Sequence, residues 1–327
     1  MSMTDTVEIN SASLQGIDPS KPLEVIYPPV VTDTMLNNAS KAIDLFKEKL
    51  PNCNIGLNLH AGEVIDLERV EQSGLNITSI DTPDIGYPKE FLEKLKQRPD
   101  QAIAHIAWRL NSILGLTEEH AKKRRLEQLK GMTDLEPFFS NPFVRVSAER
   151  DPKTGKPDTS LIQDILRTYP AGCIAVEYNA ENLTIDEYIT FIKQLRTTHS
   201  NIGFSMDLAH IFEYFKITEG RESESAKEAT LNVWKDILKE RSNSVFSVDI
   251  NNVDPNVKKY GDTHSNVLTP GGVIPTQDII SEYRKYLNQS SYLQGRLAIE
   301  SFPQQSKMLI DREGSAYLLS QIKPFSI

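Results

Sequence analysis

Residues 202–210 read Ile202-Gly-Phe-Ser-Met-Asp-Leu-Ala-His210. Its first part is a short apolar run, too short for a helix and closed by an acid. Seven more such runs occur, at residues 23–27, 55–60, 75–81, 143–148, 173–178, 245–250 and 297–300. They are dense in Val, Ile and Phe and continuous instead of alternating, which suits parallel strands covered on both faces. Between them lie helical patterns. Thr184 and Glu187 form a capping-box signature, followed by Ile185, Tyr188, Ile189, Ile192 and Leu195 at helical spacing. Leu161, Ile162, Ile165, Leu166 and Tyr169 repeat that spacing, as do Ile279, Ile280, Tyr283, Tyr286 and Leu287. Eight strands alternating with helices predict an α/β fold, a (β/α)8 TIM barrel. A doubly wound sheet is the alternative, weakened because no GxGxxG follows the first strand.

Residues 1–20 are polar and aperiodic and read as a flexible N-terminal tail, leaving 21–327 as a single barrel domain. The connection at 82–142 is too long for one crossover. Phe91–Leu95, then Ile103, Ile106, Leu110 and Leu114, then the charged Glu118–Lys130 predict two or three helices there, a helical insertion between strands 3 and 4 that borders the barrel mouth or a subunit interface. Its run Lys122-Lys123-Arg124-Arg125 reads as a solvated helix face. His105, His120 and His199 fall in helical patterns and read as surface residues.

Of 327 residues, 36 are basic and 45 acidic, a formal charge of −9 that disfavours a phosphate backbone as partner. No apolar run is long enough to span a membrane. The first residues lack a basic and an apolar signal region, so the expected location is cytoplasmic. Cys53 and Cys173 read as buried free thiols, with no metal-finger spacing. No GxSxG, P-loop or HExxH occurs.

The chemistry sits at the ends of the last four strands. Cys173-Ile-Ala-Val ends in Glu177, the quoted stretch has Asp207, Val245-Phe-Ser-Val is followed by Asp249, and Leu297-Ala-Ile ends in Glu300. In a barrel these positions face the site. Carboxylates gathered there repel one another unless a cation compensates them, and a divalent metal is the simplest candidate. His210, three residues after Asp207, and His264, two after Asp262, would touch metal or substrate. His60 ends strand two and faces either the pocket or a helix. Tyr178-Asn179 and Asn251-Asn252 either bind hydroxyls or cap turns.

At Ala175-Val-Glu-Tyr-Asn179, Gly203-Phe-Ser-Met-Asp-Leu-Ala-His210, Ser247-Val-Asp-Ile-Asn-Asn252, Asp262-Thr-His264 with Gly271-Gly272-Val-Ile274, and Ala298-Ile-Glu300, the chain resembles the xylose-isomerase-like TIM-barrel superfamily. The resemblance covers roughly residues 173–302. That superfamily includes sugar isomerases, ketose 3-epimerases, inosose dehydratases and enzymes of the endonuclease IV type. The resemblance implies a metal-dependent sugar or polyol isomerase or epimerase, with Glu177, Asp207 and Glu300 as metal ligands and Glu177 and Glu300 as the acid/base pair. Asp249 stands where the family has a histidine and is expected to ligate as well, with His264 as a further ligand. His210 and His60 are expected to touch substrate. One divalent ion is expected, Mn²⁺ before Mg²⁺, Co²⁺ or Zn²⁺. A small sugar or polyol is the expected partner, and a homo-oligomer is left open. The endonuclease branch needs histidines at strands three and four, where this chain has Ser79-Ile-Asp81 and Ser147-Ala-Glu149. Two other readings stand beside the isomerase: a non-catalytic barrel serving as a binding or effector module, and a phosphodiester-cleaving enzyme.

Overall fold

The structure, a computed structural model, describes residues 22–27, 54–60, 77–82, 105–108, 143–151, 153–168, 173–241, 244–251 and 296–300, together with isolated positions elsewhere. Side chains are described chiefly over 145–151, 153–167, 174–239 and 244–249. The 1–20 tail, the helix expected around Ile279–Leu287, and all of the 82–142 connection except β4 and scattered positions lie outside them.

Among the described residues are nine strands: β1 Pro22–Tyr27, β2 Asn54–His60, β3 Ile77–Thr82, β4 His105–Trp108, β5 Phe143–Ser147, β6 Cys173–Glu177, β7 Ile202–Asp207, β8 Val245–Ile250 and β9 Arg296–Glu300. They form one sheet in the order β4-β3-β2-β1-β9-β8-β7-β6-β5, and every paired neighbour is parallel. The two end strands, β4 and β5, also lie against each other, so the sheet rolls round toward closure. The four described helices are α1 Ser160–Thr168, α2 Ile185–Arg196, α3 Leu208–Glu213 and α4 Ser223–Arg241, with a π-helical turn at Tyr214–Thr218 after α3. The fold is α/β, and eight of the nine strands fall on the apolar runs.

Two expectations need correction. His105 begins β4, pairing with Ser79 of β3, so the 82–142 connection is not wholly helical. His199 lies in the turn after α2, its N–H donating to the Leu195 carbonyl 3.0 Å away. A four-residue strand is too short to display a period of its own, and pairing with β3 is what makes it one.

All six residues of β7 are buried, as two-sided coverage requires. The faces can be told apart. The Phe204 ring packs against Tyr188 of α2, centroids 5.4 Å apart, so Phe204 looks outward to the helices. Its neighbours Ser205 and Asp207 therefore look inward, since successive strand side chains alternate. By register Glu177 of β6 and Asp249 of β8 share that inner face. Gly203 is needed on it: a Cβ there would sit 2.3 Å from the Ser244 carbonyl oxygen and 2.9 Å from the Phe246 ring.

Tyr188 ties α2 to the strands, its hydroxyl donating to the Val176 carbonyl at 2.7 Å. The capping box at the start of α2 is present, with Glu187 N–H donating to the Thr184 hydroxyl at 3.2 Å and the Thr184 N–H to the Glu187 carboxylate at 2.9 Å. Arg150 clamps the same carboxylate through both oxygens, at 3.1 and 2.6 Å. Those guanidinium hydrogen bonds, with the Thr184 N–H, hold the Glu187 pKa at about 2, below its ordinary 4.5. A lowered carboxylate pKa contributes stability that is whole above about 4.5 and is lost as the pH falls toward about 2. Glu187→Gln should therefore flatten the acid limb of the stability curve in that window. Thermal melts of both proteins from neutral pH downward check this, and parallel curves would refute it.

Candidate metal centre

Asp207 is the last residue of β7 and also the N-cap of α3. One of its oxygens, Oδ1, accepts from the Ala209 N–H at 2.9 Å and from Asn251 Nδ2 at 3.0 Å. Those two bonds orient the carboxylate. Its other oxygen, Oδ2, lies 3.6 Å from His210 Nε2. The D-x-x-H spacing works because the strand passes straight into a helix, placing His210 in the first turn above the strand end.

His210 is anchored from behind. Its Nδ1 lies 3.1 Å from Oε2 of the fully buried Glu213, one helical turn on. Glu177 completes the group from the end of β6: ligand atoms of Glu177, Asp207 and His210 all lie within 4.8 Å of one another. Glu177 and Asp207 are buried, whereas the His210 side chain keeps 16% of its surface.

Burial works to lower the His210 pKa, but Asp207, the hydrogen bond to Glu213 and the charge of Glu177 overcome it and hold it up at about 10. At neutral pH the ring is then an imidazolium between two carboxylates. A metal at Nε2 would displace that proton, so metal affinity and pH are coupled here.

This donor set fits a divalent cation. Two carboxylates plus an imidazole suit Mn²⁺, Co²⁺ or Zn²⁺ better than oxygen ligands alone would. A carboxylate behind Nδ1 fixes the tautomer that turns the Nε2 lone pair forward. Removing that carboxylate should weaken the site while sparing the ligands. Glu213→Gln is expected to lose ~10- to 100-fold in metal affinity, measured by calorimetric titration with Mn²⁺. Unchanged affinity would show that Glu213 only packs.

Asp249 is placed differently. Asp249 Oδ2 accepts from Arg145 at 2.6 Å, and the same guanidinium nitrogen lies 3.4 Å from Glu177 Oε1. The structure thus brings together Glu177, Asp207 and His210, and joins Asp249 to a basic residue. Glu300 is the last residue of β9 and His60 the last of β2, both at the C-terminal end of the sheet, with side chains outside the described residues. Asp262, His264 and the Gly271-Gly272 segment also lie outside them. Tyr178 donates to the Leu183 carbonyl at 2.9 Å and Asn179 accepts from the Glu181 N–H at 3.0 Å, both closing a turn. Asn251, read as a hydroxyl binder or a cap, bonds to Asp207.

Arg145 and Glu213 were missed from sequence. Arg145 had a signal: a guanidinium inside the apolar run Phe143-Val-Arg-Val must find a carboxylate in the interior. Glu213 had only its i+3 spacing from His210.

The chain has the fold of the xylose isomerase-like TIM-barrel proteins. Such a protein from Mycobacterium smegmatis, solved in complex with magnesium, is 17% identical and aligns over 94% of this chain and 98% of its own, with a TM-score of 0.53. A xylose isomerase domain protein from Planctomyces limnophilus is 15% identical over 83% of this chain and 95% of its own, TM-score 0.52. A D-tagatose 3-epimerase-like protein is 14% identical over 83% and 98%, TM-score 0.51. At these identities the likeness is one of fold. No protein-family model matches the sequence, and no curated protein matches it significantly.

Proposed function

We propose that this protein is a metal-dependent isomerase or epimerase of a small sugar or polyol, acting by proton abstraction next to a carbonyl. The observation that carries the reading is the convergence of Glu177, Asp207 and His210 at the ends of adjacent parallel strands, ligand atoms within 4.8 Å of one another. Active sites of such barrels lie at that end of the strands. The magnesium complex of the M. smegmatis protein and the epimerase-like neighbour point the same way.

Glu177, Asp207 and His210 hold the ion, and Glu300 from β9 and His264 complete the set. The ion, Mn²⁺ first among Mn²⁺, Mg²⁺, Co²⁺ and Zn²⁺, supplies electrophilic pull on a substrate carbonyl, which acidifies the neighbouring C–H. Glu177 and Glu300 are the acid/base pair: one carboxylate takes the proton from that carbon and the other returns one. Return to the opposite face gives an epimer, and return to the neighbouring carbon gives an isomer. His60 at the end of β2 contacts substrate hydroxyls. Burial of Glu177 and Asp207 strengthens their electrostatic interactions with the ion and the substrate.

A second reading is a barrel that binds without catalysing. The buried Arg145–Asp249 pair favours it, because a guanidinium already compensates part of the acidic charge. Two measurements separate the readings. Elemental analysis of protein purified without chelator should find a divalent metal, and incubation in D₂O with a panel of ketoses and inososes should place deuterium on carbon. No metal after Mn²⁺, Mg²⁺, Co²⁺ and Zn²⁺ have been offered would overturn the enzyme reading in favour of the binding module.

A further inference from the structure

We propose that Arg145 is a specificity-determining residue of the metal centre: its guanidinium engages Asp249, excludes that carboxylate from the ligand set, and so biases the site against hard, oxygen-seeking cations. The inference rests on the reading of Glu177, Asp207 and His210 as the metal holders.

A guanidinium in the middle of a buried strand is costly unless paired, and Arg145 is fully buried. It sits on the inner face, because it pairs with Ala175 while Ser147, two residues on, pairs with Glu177. Asp249 lies three strands away in the sheet order. Along a flat sheet that is three spacings of ~4.8 Å, more than the two side chains span. The 2.6 Å contact is therefore made across the rolled interior. Its surroundings leave room: the residues one pleat below Glu177, Asp207 and Asp249 are Ala175, Ser205 and Ser247, all small and buried.

Arginine does not give up its proton at any working pH. A divalent cation approaching Asp249 would meet a fixed positive charge at hydrogen-bond distance. Glu177 is held less closely, at 3.4 Å, and its carboxylate is the one that converges with Asp207 and His210. Arg145 thus sorts the inner carboxylates into one that it holds and two that face the imidazole. With one fewer carboxylate the set is poorer in hard oxygen donors, which favours Mn²⁺, Co²⁺ and Zn²⁺ over Mg²⁺.

The test is calorimetric titration of metal-stripped, full-length protein with Mg²⁺ and Zn²⁺, alongside the visible spectrum of the Co²⁺-loaded form. The variants are Arg145→Met and the double variant Arg145→Met/Asp249→Asn, with circular dichroism reporting the fold. Arg145→Met should bind Mg²⁺ ~10-fold more tightly or better, with a smaller gain for Zn²⁺ and a changed Co²⁺ spectrum as Asp249 joins the set. The double variant should return to the wild-type affinity and spectrum. The proposal is overturned if Arg145→Met leaves Mg²⁺ affinity unchanged or weakens it. It is equally overturned if the double variant loses metal as deeply as Asp207→Asn, since Asp249 would then be a ligand. Should Arg145→Met fail to fold, the double variant decides alone, because it removes both charges together. If wild type binds none of these ions, the proposed function fails instead, which keeps the two failures distinct.

Discussion

Replacing Glu177 or Glu300 by glutamine is expected to lower solvent-deuterium exchange at the carbon beside the substrate carbonyl by ~10²- to 10⁴-fold, the usual cost of a missing positioned acid or base. Glutamine keeps the length and one oxygen of glutamate, so the 3.4 Å approach of Arg145 to position 177 can persist. It cannot carry a proton away from carbon. Because both residues are also proposed to hold the metal, metal content must be measured in the same samples. Exchange lost with metal retained assigns the acid/base role. Exchange retained in both variants with metal bound would refute the assignment.

Asp207→Asn is expected to lower metal affinity at least ~100-fold while leaving the fold nearly unchanged. The two effects separate because Asp207 does two jobs with two oxygens. Oδ1 caps α3 and accepts from Asn251, at 2.9 and 3.0 Å. Asparagine is as good an N-cap as aspartate and keeps that oxygen. Oδ2, beside His210 Nε2, is replaced by an NH₂ group that cannot ligate a cation. Asp207→Ala should lose both functions, adding a capping cost of ~0.5–2 kcal/mol. Titration with Mn²⁺ and thermal melts on the same three proteins check both parts. An Asp207→Asn variant that binds as tightly as wild type would remove Asp207 from the centre.

Parallel strands covered on both faces are written as continuous apolar runs, which is why eight of the nine described strands could be read directly. β4 could not. His105-Ile-Ala-Trp108 lies where Ile103, Ile106, Leu110 and Leu114 repeat at helical spacing, and hydrogen bonding to β3 overrides that local pattern. The capping box before α2 was legible because both of its partners lie within four residues of each other. The candidate site was legible in the same local sense, as acids closing strands and a histidine three residues after one of them.

Sequence alone was enough to place Glu177, Asp207, Asp249 and Glu300 at the same end of one sheet. Chain polarity puts every parallel strand's C-terminus on one side, and alternation assigns the inner face. It could not say which carboxylate meets which cation. Arg145 and Asp249 are 104 residues apart, and their contact exists only because the sheet rolls and brings β5 opposite β8. Charge compensation acts through space at a few ångströms, so the division of these acids between a guanidinium and the imidazole of His210 was decided by tertiary structure.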